Sequence, residues 1–308
     1  MDRRRFLAAA AAAPFALRSG ARRPIALVTA DLEAAVVVVD PYAGRVLRRI
    51  ATRPDPRSIE RVGETAVVAH TATGEVSLVR GFAVRHVLRG FGEPRYTAGS
   101  PDGRYAYVTD SGRADLAVVD VVRARVVARV HLGGWPRHVS IDRAGARLWV
   151  ALGTAARDLA VVDVTRPLRP RRVGTIRPPF RLHDVGFVPD TRHVWVTSGD
   201  REVVGIHDAR TGHVLRTLAA GSPPQHVAFD GSRAYVTSGD DGTLRVHAFN
   251  GQLLRVTAIP VGSYNVQRGP GRVLTPSLEK GTLCVLDEAG DVMRRVRVAR
   301  SSHDACFT

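Results

Sequence analysis

RYAYVTDSGRADLAVVD (104–120) reads as two short strand-forming runs joined by a turn. The pattern returns as ARLWVALGTAARDLAVVD (146–163), RHVWVTSGDREVVGIHD (192–208) and SRAYVTSGDDGTLRVHA (232–248). In every copy an aromatic residue (Tyr107, Trp149, Trp195 or Tyr235) sits in the first run, and Gly or Asp marks the turn. Extended outward, these copies define repeats beginning at Pro24, Glu64, Arg104, Ala146, Arg192, Ser232 and Arg272. The spacings are 40, 40, 42, 46, 40 and 40 residues, with 37 in the last. Self-similarity at such a period marks a solenoid, propeller or array rather than independent domains.

The content of one repeat decides among these. Residues 136–176 read PRHVSID, a turn, RLWVALG, a loop, DLAVVDV, a turn and RRVGTI. Each piece is short, rich in Val, Ile and aromatics, and bounded by Gly, Pro, Asp or Ser, the signature of strands and tight turns. Beyond the N-terminus no sustained helical period appears. Four short antiparallel strands per repeat make one propeller blade, so the fold expected is an all-β, seven-bladed propeller over 24–308. Counting strands a to d outward from the channel, the chain enters at strand b (PIALVT, 24–29). It ends on SHDACFT (302–308), which aligns with strand a, as in PQHVAFD (224–230). The C-terminal strand should therefore pair with the N-terminal blade (24–50) and close the ring, leaving no open seam.

The YVT of Tyr107–Thr109 and Tyr235–Thr237, the SPDG turn of Ser100–Gly103, and the strand ends at Asp40, Asp120 and Asp163 resemble the YVTN-type β-propeller repeat family. The resemblance covers nearly all of 24–308, with TAVVAH (65–70) and RVLTPS (272–277) as degenerate copies. Its motifs are architectural and the family is functionally mixed, so it implies a fold rather than an activity.

The 308 residues are 44% hydrophobic, enough for one closed domain with an ample core. Only two cysteines occur, Cys284 in a third strand and Cys306 in the innermost strand of the neighbouring blade. Packed sheets lie about 10 Å apart, beyond disulfide reach, so two buried free thiols are expected. Residues 1–21 read as a targeting segment. Arg3-Arg4-Arg5-Phe6-Leu7 fits the twin-arginine pattern, followed by the weakly apolar run Ala8–Leu17 and a small-residue step at Ser19-Gly20-Ala21. That run is too short to span a bilayer. The expectation is a bacterial protein exported folded, periplasmic, cell-wall-associated or secreted, with no transmembrane segment in the mature chain.

Net charge is +16, and Lys280 is the only lysine among 45 basic residues. So lopsided a use of arginine points to a compositional bias of the genome more than to phosphate contacts. Many arginines fall on or beside fourth strands: Arg45, Arg48 and Arg49; Arg123, Arg125 and Arg129; Arg169, Arg171 and Arg172; Arg294, Arg295 and Arg297. Charge there blocks edge-to-edge pairing. The dense run Arg166–Arg181 is the best candidate for a polyanion contact, which would leave nucleic-acid binding weakly supported.

Superposing the repeats singles out one ring of residues at the start of strand a, at the mouth of the channel: Ser58, Tyr96, His138, Asp184, His226, Asn265 and Asp304. The residue just before contributes Arg57, Arg95, Arg137, His183, Gln225, Tyr264 and His303. Two His-Asp dipeptides, His183-Asp184 and His303-Asp304, result, with His138 and His226 flanking the first. Polar groups converging on a preformed cavity are the default ligand site. Three readings follow: a wet channel binding nothing in particular; a site for a small polar or anionic ligand, a peptide, a glycan or an envelope protein; or a metal or acid–base site. The ligand reading names Arg57, Arg95, Tyr96, Trp135, Arg137, His138, His183, Asp184, His226, Asn265, His303 and Asp304. No cofactor is required, but a divalent metal held by some of His138, His183, Asp184, His226, His303 and Asp304 is the alternative, with a hydrolase or lyase as its enzymatic form. Adjacent strand residues point to opposite faces, so neither His-Asp pair should chelate as a unit unless the strand is irregular. A wide mouth would also keep ligands apart.

Elsewhere the chemistry reads as structural. Asp40, Asp120, Asp163, Asp208 and Asp287 recur at the ends of third strands and should cap turns. Asp and Gly in 198–200 and 238–242 should do likewise. Trp135, in the loop before the ring, breaks the pattern and is a candidate stacking platform. No catalytic triad motif, phosphate loop or haem-attachment motif is present, and a monomer is expected.

Overall fold

The computed structural model describes residues 24–189 and 191–308. The twin-arginine-type segment therefore lies outside the described residues. The rest forms seven four-stranded antiparallel sheets in a ring. Blade 1 takes strands Ala26–Ala30, Ala35–Asp40 and Arg45–Ala51 from the N-terminus and Ala305–Phe307 from the C-terminus. Blades 2 to 7 occupy 56–88, 94–131, 139–176, 182–219, 227–258 and 267–297. The closing ladder pairs Ala26 with Phe307, Leu27 with Cys306 and Val28 with Ala305. The sheet that would otherwise expose a seam is thus stitched by both chain ends.

Burial follows from position in the blade. Strands b and c are apolar on both faces because a neighbouring blade covers each side. They supply a separate apolar layer at each of the seven blade interfaces. The repeated aromatics fill these layers. Trp149 meets Phe187 of the next blade edge-on at 5.7 Å, and Trp195 meets Phe229 at 5.8 Å. The outermost strands Arg45–Ala51, Arg171–Ile176 and Val292–Arg297 are mostly exposed and carry the arginines. In all seven blades the ladder to the outermost strand is broken by a register shift. Bulges and charge together blunt the edge that each blade presents to solvent.

The threonine of the YVT signature ties blade to blade. The Thr109 hydroxyl accepts Tyr96 N–H (3.0 Å) in its own blade and donates to Arg137 O of the next (2.6 Å). Thr197 accepts Asp184 N–H (2.9 Å) and donates to Gln225 O (2.9 Å). Thr237 donates to Tyr264 O in the same way. Buried hydroxyls so paired are satisfied and fix the inner strands relative to one another. The recurrent aspartates do cap turns: Asp120 Oδ1 accepts from Val122 and Arg123 N–H, and Asp208 Oδ1 from Arg210 and Thr211 N–H. Cys284 and Cys306 are buried free thiols. Among the described residues no helix is long and apolar enough to cross a membrane.

Candidate metal centre at the channel mouth

The ring of polar residues lies where the innermost ladders lose their regularity. In blades 2, 3 and 5 the register shifts between Pro56 and Ser58, Pro94 and Thr97, and Leu182 and Val185. In the other blades the regular innermost strand begins one or two residues after the ring, at Val139, Val227, Gln267 and Ala305. Irregular backbone re-aims side chains that a straight strand would send to opposite faces. Here the irregular strand brings His183 to His138 and His226 while Asp184, buried, lines the channel cavity.

His138, His183 and His226, from blades 4, 5 and 6, converge. One ring nitrogen from each lies within 4.8 Å of the others. The channel is therefore narrower at this point than the expected wide mouth. The ring of His138 lies 4.6 Å from that of His183 and 4.5 Å from that of His226, centroid to centroid. Each Nδ1 has an oxygen partner: His183 O for His138 (2.7 Å), Thr154 O for His183 (3.0 Å) and Asp184 Oδ2 for His226 (3.2 Å). Carbonyl oxygens only accept, so His138 and His183 carry the proton on Nδ1. In the neutral ring the Nε2 lone pair is then free. His138 is 1% exposed and its Nε2 has no partner. Burial, with the charges of neighbouring His226, His183 and Arg137, holds its pKa well below the usual histidine range. Burial brings His183 down to about 4.

Three converging imidazoles, each with an oxygen beside Nδ1, are a fitting donor set for a borderline divalent ion. Tetrahedral ligation with bonds of about 2.0–2.1 Å holds nitrogens about 3.3 Å apart, so nitrogens up to 4.8 Å apart must close by up to about 1.5 Å.

Around the trio, the Tyr96 ring lies 4.1 Å from that of His138 and 6.4 Å from that of His303. Burial raises the Tyr96 hydroxyl above its ordinary value, so it is neutral near pH 7. Arg95 and Arg137 both place their guanidinium carbon 4.8 Å from the Trp135 ring centre. The chain's own arginines therefore occupy the stacking platform expected of Trp135. His303 donates from Nδ1 to Arg57 O (2.7 Å) and stays outside the trio. Asn265 Nδ2 donates to His303 O (2.8 Å), a structural link across two blades.

Both aspartates of the His-Asp dipeptides work as latches. Asp184 accepts Val185 N–H (2.7 Å) and, from the next blade, Val227 N–H (3.1 Å). Asp304 accepts Ala305 N–H (2.8 Å) and, from the next blade, Ile59 N–H (3.0 Å). Neither joins the nitrogen cluster, although Asp184 orients one of its members.

His138 and His226 also line a polar cavity of about 170 Å³, together with Ser58, Glu60, Thr97, Ser140, Gln267 and Asp304 among others. Glu60 was not among the residues singled out from the sequence. Burial and the negative charge of Asp304 push its carboxyl up to about 8. Burial, only partly offset by the Ile59 and Ala305 N–H groups, pushes Asp304 up to about 7. Glu60 lies two residues after Ser58, on the same face of an inner strand. Extending the superposition by two positions would have found it. A larger open cleft of about 620 Å³ lies at the dense arginine run, lined by Arg157, Asp158, Arg177, Arg181 and Asp200 among others. Its Arg177 is exposed and already paired to Asp158 (2.7 Å), so the cleft lacks the buried, unpartnered donors of the channel mouth.

No family model matches the chain, and no curated protein matches it in sequence. Solved structures do resemble it. A functionally unknown protein from Desulfotomaculum acetoxidans DSM 771 superposes with a TM-score of 0.80 at 12% identity, over 92% of this chain and 99% of that one. Apo AztD from Citrobacter koseri gives 0.71 at 11% identity, over 92% and 97%. Kuenenia stuttgartiensis hydrazine synthase gives 0.68 at 16% identity, over 82% and 89%. The likeness is one of fold. At these identities the site must be argued from its own residues.

Proposed function

We propose that this chain is an exported β-propeller of the YVTN type that binds a divalent transition-metal ion at its channel mouth through His138, His183 and His226. The observation that carries the reading is the convergence of one ring nitrogen from each histidine within 4.8 Å of the others, with His138 and His183 each held through Nδ1 by a carbonyl oxygen and His226 Nδ1 3.2 Å from Asp184 Oδ2. Neutral imidazole suits zinc, copper or nickel ions, and a three-histidine set leaves a coordination position open. Bound there, such an ion would supply a Lewis-acidic centre. The chain's own contribution is to bring the three rings together and to hold two of them through Nδ1 hydrogen bonds to carbonyl oxygens. Export through the segment 1–21 would follow folding, so an ion could be loaded before translocation.

Equilibrium dialysis of metal-stripped protein against zinc, followed by elemental analysis, tests this. One equivalent per chain is expected for the wild type, and loss of at least about two orders of magnitude in affinity for His138→Ala or His226→Ala. Zinc uptake unaffected by both substitutions would end the reading. The open position also favours a hydrolytic variant, in which the ion activates water. Turnover of an activated ester by zinc-loaded but not metal-stripped protein would select it over simple carriage. For the leader, Arg3→Lys together with Arg4→Lys should retain the protein in the cytoplasm, and unchanged export would remove the twin-arginine assignment.

A further inference from the structure

The three arginines that precede the ring, Arg57, Arg95 and Arg137, form a like-charged group beside the histidines. The charges of Arg95 and Arg57 both act on Arg137, and Arg137 in turn acts on His138, His183 and His303. Arg95 has Glu93 (2.8 Å) and Arg57 has Asp31 (3.6 Å). Among the described residues no carboxylate lies within ion-pair distance of Arg137, which rests instead against Tyr96 and Trp135. The Nε–H groups of Arg95 and Arg137 are buried without an acceptor. Two buried, unsatisfied, charge-bearing donors at one mouth are unfavourable unless something accepts from them. A divalent cation held by the neighbouring histidines would raise the local positive charge further.

An anion relieves both strains. We infer that Arg57, Arg95 and Arg137 form an oxyanion cradle abutting the three histidines, so that a carboxylate or phosphate group is held by guanidinium N–H groups on one side and reaches the open metal position on the other. Guanidinium forks match the paired oxygens of such groups, and the indole face of Trp135 holds two of the forks in place. The cradle belongs to the chain itself, but its contact with the ion rests on the metal reading above.

Metal-free protein titrated calorimetrically with inorganic phosphate, and separately with acetate, tests the cradle alone. Saturable binding of at least one anion is expected, weakened at least about tenfold in Arg137→Gln and reduced in Arg95→Gln. The same titrations on protein loaded with cobalt(II), followed through its visible absorption, test the contact with the ion. Binding should tighten at least about tenfold on loading, and the cobalt bands should shift in the wild type but not in Arg137→Gln that still holds cobalt. Binding of neither anion by the wild type, or equal binding by Arg137→Gln, overturns the cradle. Anion binding that is indifferent to bound cobalt overturns the shared site. Failure to take up cobalt sinks the metal reading, while the metal-free titration still decides the cradle. Phosphate binding without acetate binding would assign a phosphate-type ligand, and the reverse a carboxylate.

Discussion

Asp184 Oδ2 lies 3.2 Å from His226 Nδ1, although the two residues belong to different blades. The histidine adjacent to Asp184 in the chain, His183, instead meets Thr154 O. The His-Asp relationship that matters is thus made by the ring and not by the dipeptide. Asp184 also accepts Val227 N–H, one residue after His226, so one carboxylate holds the backbone beside that imidazole and lies against its Nδ1.

Replacing Asp184 with Asn should therefore reduce zinc affinity about 10- to 100-fold while sparing the stoichiometry. Competition with a chromophoric chelator reads this directly. An affinity equal to wild type would show that His226 needs no orienting carboxylate.

Thr197 holds the backbone on both sides of the same junction, accepting from Asp184 N–H and donating to Gln225 O. Thr197→Val keeps the shape and removes both bonds. It should destabilise the protein by about 2 kcal/mol in urea unfolding, since a buried donor and acceptor are left unpaired. Metal affinity should fall as well, because the residues on either side of the lost bonds position His183 and His226. Stability within about 0.5 kcal/mol of wild type would rule out the latch.

Closure of the ring depends on Phe307, whose side chain is 8% exposed. The ring lies against Gly269 so closely that a β-carbon there would sit 2.4 Å from it. Phe307→Ala should destabilise by about 3–5 kcal/mol, and Gly269→Ala should also destabilise, by overpacking. Thermal melts of the two variants check this, and wild-type melting of Phe307→Ala would mean the terminal strand is dispensable.

Glu60 and Asp304 make stability depend on pH. Their folded values, about 8 and about 7, lie above their ordinary values of 4.5 and 3.8. The folded state thus holds protons that the unfolded chain releases. The stability from the neutral carboxyls is complete below about pH 4 and is lost as pH rises through 7 to 8. His183, held at about 4 against an ordinary 6.5, acts oppositely: its stability is present above pH 6.5 and is lost as pH falls through 4. Glu60→Gln isolates the first effect. It should match wild type near pH 4 and exceed it by roughly 3–5 kcal/mol at pH 9. Urea melts at the two pH values test it, and a constant difference between variant and wild type would contradict the shift.

The architecture was legible in the chain because each repeat states the same local pattern several times over. Register, closing strand, interblade aromatics and capping aspartates all follow from that repetition. The ring was legible as a list of residues but not as an arrangement. Superposed repeats place His138 and His226 in one column and His183 in the preceding one, and an ideal strand would point the two columns apart. The register shift between Leu182 and Val185 overturns that rule, and nothing in the residue types at 182–185 announces it. The partners of the imidazoles were hidden for a different reason. Two are backbone carbonyls, which every residue has, and the third is an aspartate from the preceding blade. Glu60 escaped because the comparison stopped at the mouth and did not follow the inner strand inward.

X-ray absorption at the zinc edge of stoichiometrically loaded protein, paired with diffraction at that edge, tests the central claim most directly. The account predicts one zinc within about 2.0–2.1 Å of three imidazole nitrogens, from His138, His183 and His226. Zinc found at other residues, or a first shell lacking three imidazoles, would contradict it.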